Sequence, residues 1–291
     1  MRGQDLEQCR KSVRTRSGDI SYLDVGEGPV VLLVHGVGTN AYLWRNVLAA
    51  LGGERRGIAL DLPLHGATPA RPDQDFSLAA LAEQLEDFCD ALGLTDIDLV
   101  AHDTGGAIAQ IFAARHRSRL ATFALTNCDT HDNVPPEAFK PTVELAARGE
   151  LAPGAAALLA DPAVARAAVF ATGYEDPEQP SDEMVLAFLE PVLGTPERAR
   201  TFERLLTSLR PDDLLAVEPE LATLEVPTIV VWGDADPFFD VAWAYWLRDT
   251  IPGVRQVVVL AGAKLFFPDE RADELLGHLR SHWAHAGALR S

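Results

Sequence analysis

The sequence predicts an α/β fold, a mostly parallel central sheet flanked by helices. Short apolar runs bounded by Gly, Pro or Asp alternate with longer stretches of helical periodicity, the pattern of strands joined by crossover helices. The runs also fail to alternate polar with apolar residues, as expected of strands buried on both faces. In chain order, residues 22–25 are the hairpin partner at an edge, and buried strands follow at 30–34 and 58–60. A helix over 78–92 opens at Ser77, a residue type whose hydroxyl satisfies a free N–H at a helix start. Strand 97–101 leads into helix 105–116, and strand 123–125 comes next. Strands 228–232 and 256–260 complete the sheet, and a helix over 269–283 begins after Pro268.

Between 134 and 219 the pattern changes. Val143, Leu145, Leu151, Leu158 and Leu159 recur at helical spacing, no strand-like run appears, and Pro135-Pro136, Pro153-Gly154 and Pro177 to Pro180 break the stretch into short helices. The expected organisation is a core of 1–133 and 220–291 with an inserted helical module over 134–219.

Composition restricts the partners. With 25 Lys and Arg against 43 Asp and Glu, the net charge of −18 repels phosphate backbones and anionic lipid, so neither nucleic acid nor a membrane is an expected partner. Cys9, Cys89 and Cys128 are too few and too widely spaced for a disulfide framework or a CxxC metal site, which fits a reducing cytoplasm. The first nine residues mix charges without an apolar run, and no stretch reaches the length of a membrane span, so neither a signal peptide nor a span is expected.

Chemistry enters at Ala101-His102-Asp103-Thr104-Gly105, where a buried strand runs into a helix. This has the small-x-nucleophile-x-small form of a nucleophile elbow, in which small neighbours let strand and helix nearly touch while the central side chain rises above the sheet. A carboxylate there can attack carbon without prior deprotonation. The alternative is that Asp103 only caps the helix. His35-Gly36-Val37-Gly38, after the strand at 30–34, would bring backbone N–H groups beside Asp103. Thr39 to Trp44 and Asp61-Leu-Pro-Leu-His65-Gly66 then precede the elbow in order.

With these residues the chain resembles the α/β-hydrolase family, and within it the branch with an aspartate nucleophile, the epoxide hydrolases and haloalkane dehalogenases. The resemblance runs from about residue 12 to 283. It implies that Asp103 is the nucleophile, that the N–H groups of Val37 and Thr104 form the oxyanion hole, and that 134–219 is a helical cap over the substrate pocket. In Val230-Val-Trp-Gly-Asp-Ala-Asp-Pro237 the family's acid falls on Asp236 rather than Asp234, although Asp before Pro is also a common turn residue.

The chain departs from the family at Leu260-Ala-Gly-Ala-Lys-Leu-Phe-Phe-Pro-Asp-Glu-Arg271, where Leu265 stands in the place of the catalytic histidine. A one-residue shift would bring in Lys264 but puts Glu270 out of step, and neither side chain replaces an imidazole base at neutral pH. Among the other histidines, His35 belongs to the loop, His65 to a turn, and His116, His278, His282 and His285 to helices near the surface. His102 is expected to face away from Asp103. His131 is a candidate displaced base, with a polar loop residue as the alternative, and Asp129 beside it sits where some dehalogenases keep their acid. Thr104 replaces the halide-binding Trp of dehalogenases, and Gly38 replaces a Pro usual in epoxide hydrolases. Of the two cap tyrosines that epoxide hydrolases use, only Tyr174 lies in the segment, and Tyr245 is expected to pack with Trp243 and Trp246. The pocket is expected to draw on His35, Gly38, Trp44, His102, His131, Tyr174, Leu265 and Phe266, with Asp103 and Asp236 catalytic.

Three functions follow. The first is a hydrolase acting on a small, mainly apolar electrophile through an ester to Asp103, an epoxide before a halide. The second is an isomerase, lyase or cyclase with Asp103 as general base, and the third a binding protein without turnover. No metal triad or nucleotide fingerprint occurs, so no metal and no cofactor are expected. The expected partner is a small-molecule substrate, with a homodimer left open.

Overall fold

Eight strands hydrogen-bond in the order β1-β2-β4-β3-β5-β6-β7-β8. They are β1 (Arg10–Thr15), β2 (Gly18–Val25), β3 (Val30–Val34), β4 (Arg56–Leu60), β5 (Ile97–Asp103), β6 (Leu120–Cys128), β7 (Thr228–Gly233) and β8 (Val254–Leu260). Only β2 runs against the others, antiparallel to both β1 and β4. These and the facts below come from a computed structural model that describes residues 6–290, with side chains to residue 288. The first residues of the segment expected to lack a signal peptide therefore lie outside the described residues.

The central strands are as apolar as the sequence predicts, and β6 is buried along its whole length. The edges differ from expectation. Strand β1 has no apolar run, because its side chains are held by charge: Lys11 Nζ lies 2.7 Å from Asp24 and Arg10 Nη1 2.5 Å from the buried Asp61. Strand β8 is half-exposed rather than buried on both faces, being the far edge of the sheet.

Helices α1 (Arg45–Ala50), α2 (Leu78–Leu92) and α3 (Thr104–His116) belong to the first part of the chain. Ser77 caps α2 through the Ala80 N–H, 3.3 Å away, and Gly93, at φ +63°, ends it. Between β6 and β7 lie α4 (Lys140–Ala147), α5 (Leu151–Leu159), α6 (Pro162–Ala165), a π turn (Arg166–Phe170), α7 (Asp182–Leu193), α8 (Pro196–Ser208) and α9 (Asp212–Leu221). No strand occurs there among the described residues. The last of these helices, α9, packs on α3 of the sheet layer. Helix α10 (Ala242–Thr250) follows β7, and the helix expected at 269–283 is two: α11 (Phe267–Glu270) and α12 (Ala272–Arg290). Among the described residues no helix is long and apolar enough to cross a membrane, and no disulfide joins the cysteines.

Candidate active site

Asp103 ends β5 and caps α3 with φ +55° and ψ −135°, a backbone conformation that side chains other than glycine avoid. Such a conformation persists only when its surroundings enforce it, and the close approach of three glycines does so. A Cβ on Gly105 would lie 2.3 Å from the His35 carbonyl oxygen, one on Gly106 2.3 Å from Cys128 Cβ, and one on Gly36 2.3 Å from Asp103 Cβ. Strand, helix and the loop after β3 thus meet at backbone contact, and the Asp103 carboxyl is lifted above the strand ends.

The loop after β3 is fixed by two neutral imidazoles. His35 donates from Nδ1 to the Gly36 carbonyl at 2.7 Å and accepts the Leu62 N–H at Nε2, 2.9 Å away. His65 donates to the Pro63 carbonyl at 3.0 Å and accepts the Gly38 N–H at 3.2 Å. With Nε2 engaged as an acceptor, neither ring can charge without breaking a bond, and burial lowers their pKa values to about 4 and about 3.

Asp103 faces a cavity of about 360 Å³. Its Oδ1 accepts the Thr104 N–H at 2.6 Å and the Thr104 hydroxyl at 3.2 Å. Among the described residues Val37, expected as the second oxyanion donor, makes no hydrogen bond to Asp103, although it lines the cavity beside it. What exposure Asp103 retains is to this cavity, whose walls are mostly aliphatic and aromatic: Leu151, Leu158, Phe170, Leu189, Phe202 and Phe266 among them. Burial is therefore the main cause that raises its pKa to about 7, against the Thr104 hydrogen bonds and with a smaller contribution from the Asp236 charge.

Asp236 is not among the residues that line the cavity. Its side chain is buried, accepting Asn127 Nδ2 at 2.7 Å and the Phe238 N–H at 2.8 Å, and burial raises its pKa to about 6. Asn127 also accepts the Gly233 N–H at 2.7 Å and donates to the Gly233 carbonyl at 3.1 Å, so one amide joins β6 to the turn that carries Asp236. This residue escaped the sequence reading; the available signal was an amide near the end of an otherwise apolar strand. Asn127→Ala is expected to cost about 1–3 kcal/mol, since it orphans buried partners on Gly233 and Asp236. A shift of the urea midpoint measures this, and an unchanged midpoint would show that those groups find other partners.

Two further carboxyls line the cavity, the exposed Glu150 and the buried Asp129. Asp129, just past β6, is 2% exposed; its Oδ1 is buried with no hydrogen-bond partner, and Gln110 Nε2 holds its backbone carbonyl at 2.8 Å. Burial, and then the Asp103 charge, raise its pKa well above the carboxylate range, against a side-chain hydrogen bond from Thr104.

Of the residues expected in the pocket, Gly38, Leu265 and Phe266 line it. The others are corrections. His35 is consumed in the loop bonds above. His102 points the opposite way, donating from Nδ1 to Thr126 and lying edge-on to Trp44 and Phe267, each 6.2 Å away; burial lowers its pKa to about 3. Trp44 shares that interior packing. His131, at φ +56°, bonds Glu218 and stacks on Trp246 at 4.9 Å, away from the cavity. Tyr174 gives its hydroxyl to Asp269 at 3.0 Å, and its ring packs on Phe266 at 4.6 Å. No histidine, lysine, arginine, tyrosine or tryptophan appears among the described lining residues.

A seam joins the helical segment to the loop after β8. The Phe266 N–H bonds the Gly173 carbonyl at 2.9 Å, Glu270 accepts the N–H groups of Glu175 at 2.8 Å and Asp176 at 3.0 Å, and Arg271 pairs with Glu175 at 2.7 Å. Among the described residues no group of three His, Cys, Asp or Glu is placed to hold a metal ion.

A family model described as the alpha/beta hydrolase fold matches residues 29–270. A haloalkane dehalogenase of Mesorhizobium japonicum is 35% identical over 116 residues, 40% of this chain and 37% of that protein. A magnesium-chelatase 30 kDa subunit of Rhodobacter capsulatus is 36% identical over 102 residues, 34% and 36% of the two chains. These matches span well under half the length of the curated relatives. Among solved structures, a haloalkane dehalogenase of Bradyrhizobium elkani superimposes with a TM-score of 0.80 at 21% identity, covering 96% of this chain and 99% of that one. An epoxide hydrolase without ligand gives 0.78 at 18%, covering 94% and 98%. At such identities the superpositions show a shared fold.

Proposed function

The chain belongs to the alpha/beta hydrolase fold family, and from that membership we propose that it hydrolyses small, largely apolar epoxides through an ester to Asp103. The observation that carries this reading is the Asp103 carboxyl itself: Oδ1 already rests on the Thr104 N–H, where an ester carbonyl oxygen would need a donor, while the cavity in front of it is apolar. An epoxide is favoured over a halide because no indole or amide side chain lines the cavity to hold a departing anion. The helices between β6 and β7 act in this reading as the cap that excludes bulk water.

Single turnover of styrene oxide in ¹⁸O-labelled water tests the proposal. If water attacks the ester carbonyl carbon, the label enters Asp103 and the diol carries the unlabelled oxygen. Labelled diol with an unlabelled Asp103 would overturn it.

Only the ionised carboxylate attacks, and burial holds its proton to about pH 7. Alkylation of Asp103 by benzyl bromide, whose departing bromide needs no proton, is therefore expected to slow about tenfold for each pH unit below that point. A rate flat from pH 5 to 8, read by intact mass, would contradict the raised value.

The same raised pKa favours a second reading, in which Asp103 is a general base for isomerisation or elimination. That enzyme would turn over without alkylation or labelling of Asp103.

A further inference from the structure

Ester chemistry at Asp103 needs two proton transfers, and the cavity offers no imidazole, ammonium or phenol to make them. We propose that Asp129 makes both: it protonates the epoxide oxygen as Asp103 attacks, then takes a proton from the water that cleaves the ester. This rests on the nucleophilic reading of Asp103.

Three features of the site carry the assignment. Asp129 follows Cys128, the backbone partner of Asp103 across the paired strands β5 and β6, so the two residues stand at neighbouring strand ends. Both line the same cavity. And Asp129 Oδ1 is buried without a partner. A carboxylate oxygen left bare beside a second carboxylate is strongly disfavoured, whereas a carboxylic acid there is neutral. The raised proton affinity of Asp129 agrees with this. Above about pH 7 the resting site thus holds one negative charge, on Asp103, and one acidic proton, on Asp129.

The steps balance. An Asp103 oxygen bonds to an epoxide carbon, the carbon–oxygen bond of the ring breaks, and the proton of Asp129 passes to the departing oxygen, leaving a neutral hydroxy-ester and an ionised Asp129. Asp129 then accepts a proton from water as its oxygen adds to the Asp103 carbonyl carbon, with the resulting oxyanion at the Thr104 N–H. Collapse of that adduct expels the diol oxygen. The expelled alkoxide and the carboxylic acid proton newly placed on Asp103 combine to give the neutral diol, so that Asp103 returns ionised and Asp129 protonated. One carboxyl group acting first as acid and then as base is the division of labour seen in retaining glycoside hydrolysis.

Asp129→Asn separates the two roles when challenged with two reagents. With benzyl bromide, which needs no acid, the Asp103 benzyl ester should form and then persist, its hydrolysis slowed by about a hundred- to ten-thousandfold. With styrene oxide, alkylation itself should slow by a similar factor. Release of benzyl alcohol or opening of styrene oxide at the wild-type rate in Asp129→Asn would overturn the proposal. Formate added to Asp129→Ala should restore ester hydrolysis, an effect that a merely structural role would not produce; a persistent ester at saturating formate would also overturn it. Absence of any Asp103 adduct in rapidly quenched wild-type protein, with either reagent, would instead sink the nucleophilic reading on which this one stands.

Discussion

Asp103→Asn is expected to abolish turnover, by about four orders of magnitude or more, because an amide oxygen is not a nucleophile toward carbon. The same substitution is expected to raise thermal stability, and to raise it more at pH 8 than at pH 5. The sign follows from proton linkage. The folded pKa of Asp103 is raised to about 7 from an ordinary value of 3.8, so between those pH values the folded state holds a proton that the unfolded chain has released. Stability then falls as pH rises through this window, and the cost is complete above it. Asparagine carries no such cost. Calorimetric midpoints at the two pH values check the expectation: an inactive variant that melts lower than wild type at pH 8 would mean that the Asp103 charge is compensated by contacts other than those of Thr104.

Gly105→Ala is expected to be among the most destabilising single-methyl additions in the protein. Its Cβ would sit 2.3 Å from the His35 carbonyl oxygen and 2.8 Å from that of Val34. Both oxygens belong to backbone at the end of β3, which is paired on both sides in the sheet interior, so neither can rotate away as a side chain would. Overpacking of this kind costs about 3 kcal/mol or more when nothing can yield. Gly277→Ala is the matched control: it lies within α12 with open space around the position, and alanine there should stabilise by about 0.5–1 kcal/mol. Urea midpoints for the pair should move in opposite directions. Similar small losses in both would mean that β3 and α3 separate more easily than their contacts suggest.

The layout of the sheet and the elbow were legible because both rest on local constraints. A strand buried on both faces must be apolar throughout, and a strand that touches a helix must have glycine at the contact, as at Gly105 and Gly106. What the sequence concealed depends on partners distant along the chain. Strand β1 is held by Asp24 and Asp61, which its own residues do not announce. His131 is adjacent in sequence to the strand ends that form the site, yet a left-handed backbone turns its ring onto Trp246. Tyr174, the one tyrosine of the helical segment, is drawn to Asp269 by a hydrogen bond spanning 95 positions. Asp129 was visible as a neighbour of His131 at the place where some dehalogenases keep their acid, but its unpartnered oxygen was not, because an unmet hydrogen bond has no sequence signature.

The seam between 173–176 and 266–271 also determines how the roof of the cavity can move. Along that side, backbone hydrogen bonds, the Arg271–Glu175 pair and the packed rings of Phe266 and Tyr174 would have to separate together, so those residues belong to one cooperative unit with the end of the chain. Away from those bonds Glu150 and Gly154 are exposed and line the cavity, and the start of α5 is held by Glu203, which accepts the N–H groups of Leu151 and Ala152 at 2.9 and 2.8 Å. Releasing a single carboxylate is a far smaller local unfolding than undoing the seam. Opening at the start of α5 would therefore leave the Asp103 turn and the loop after β8 closed.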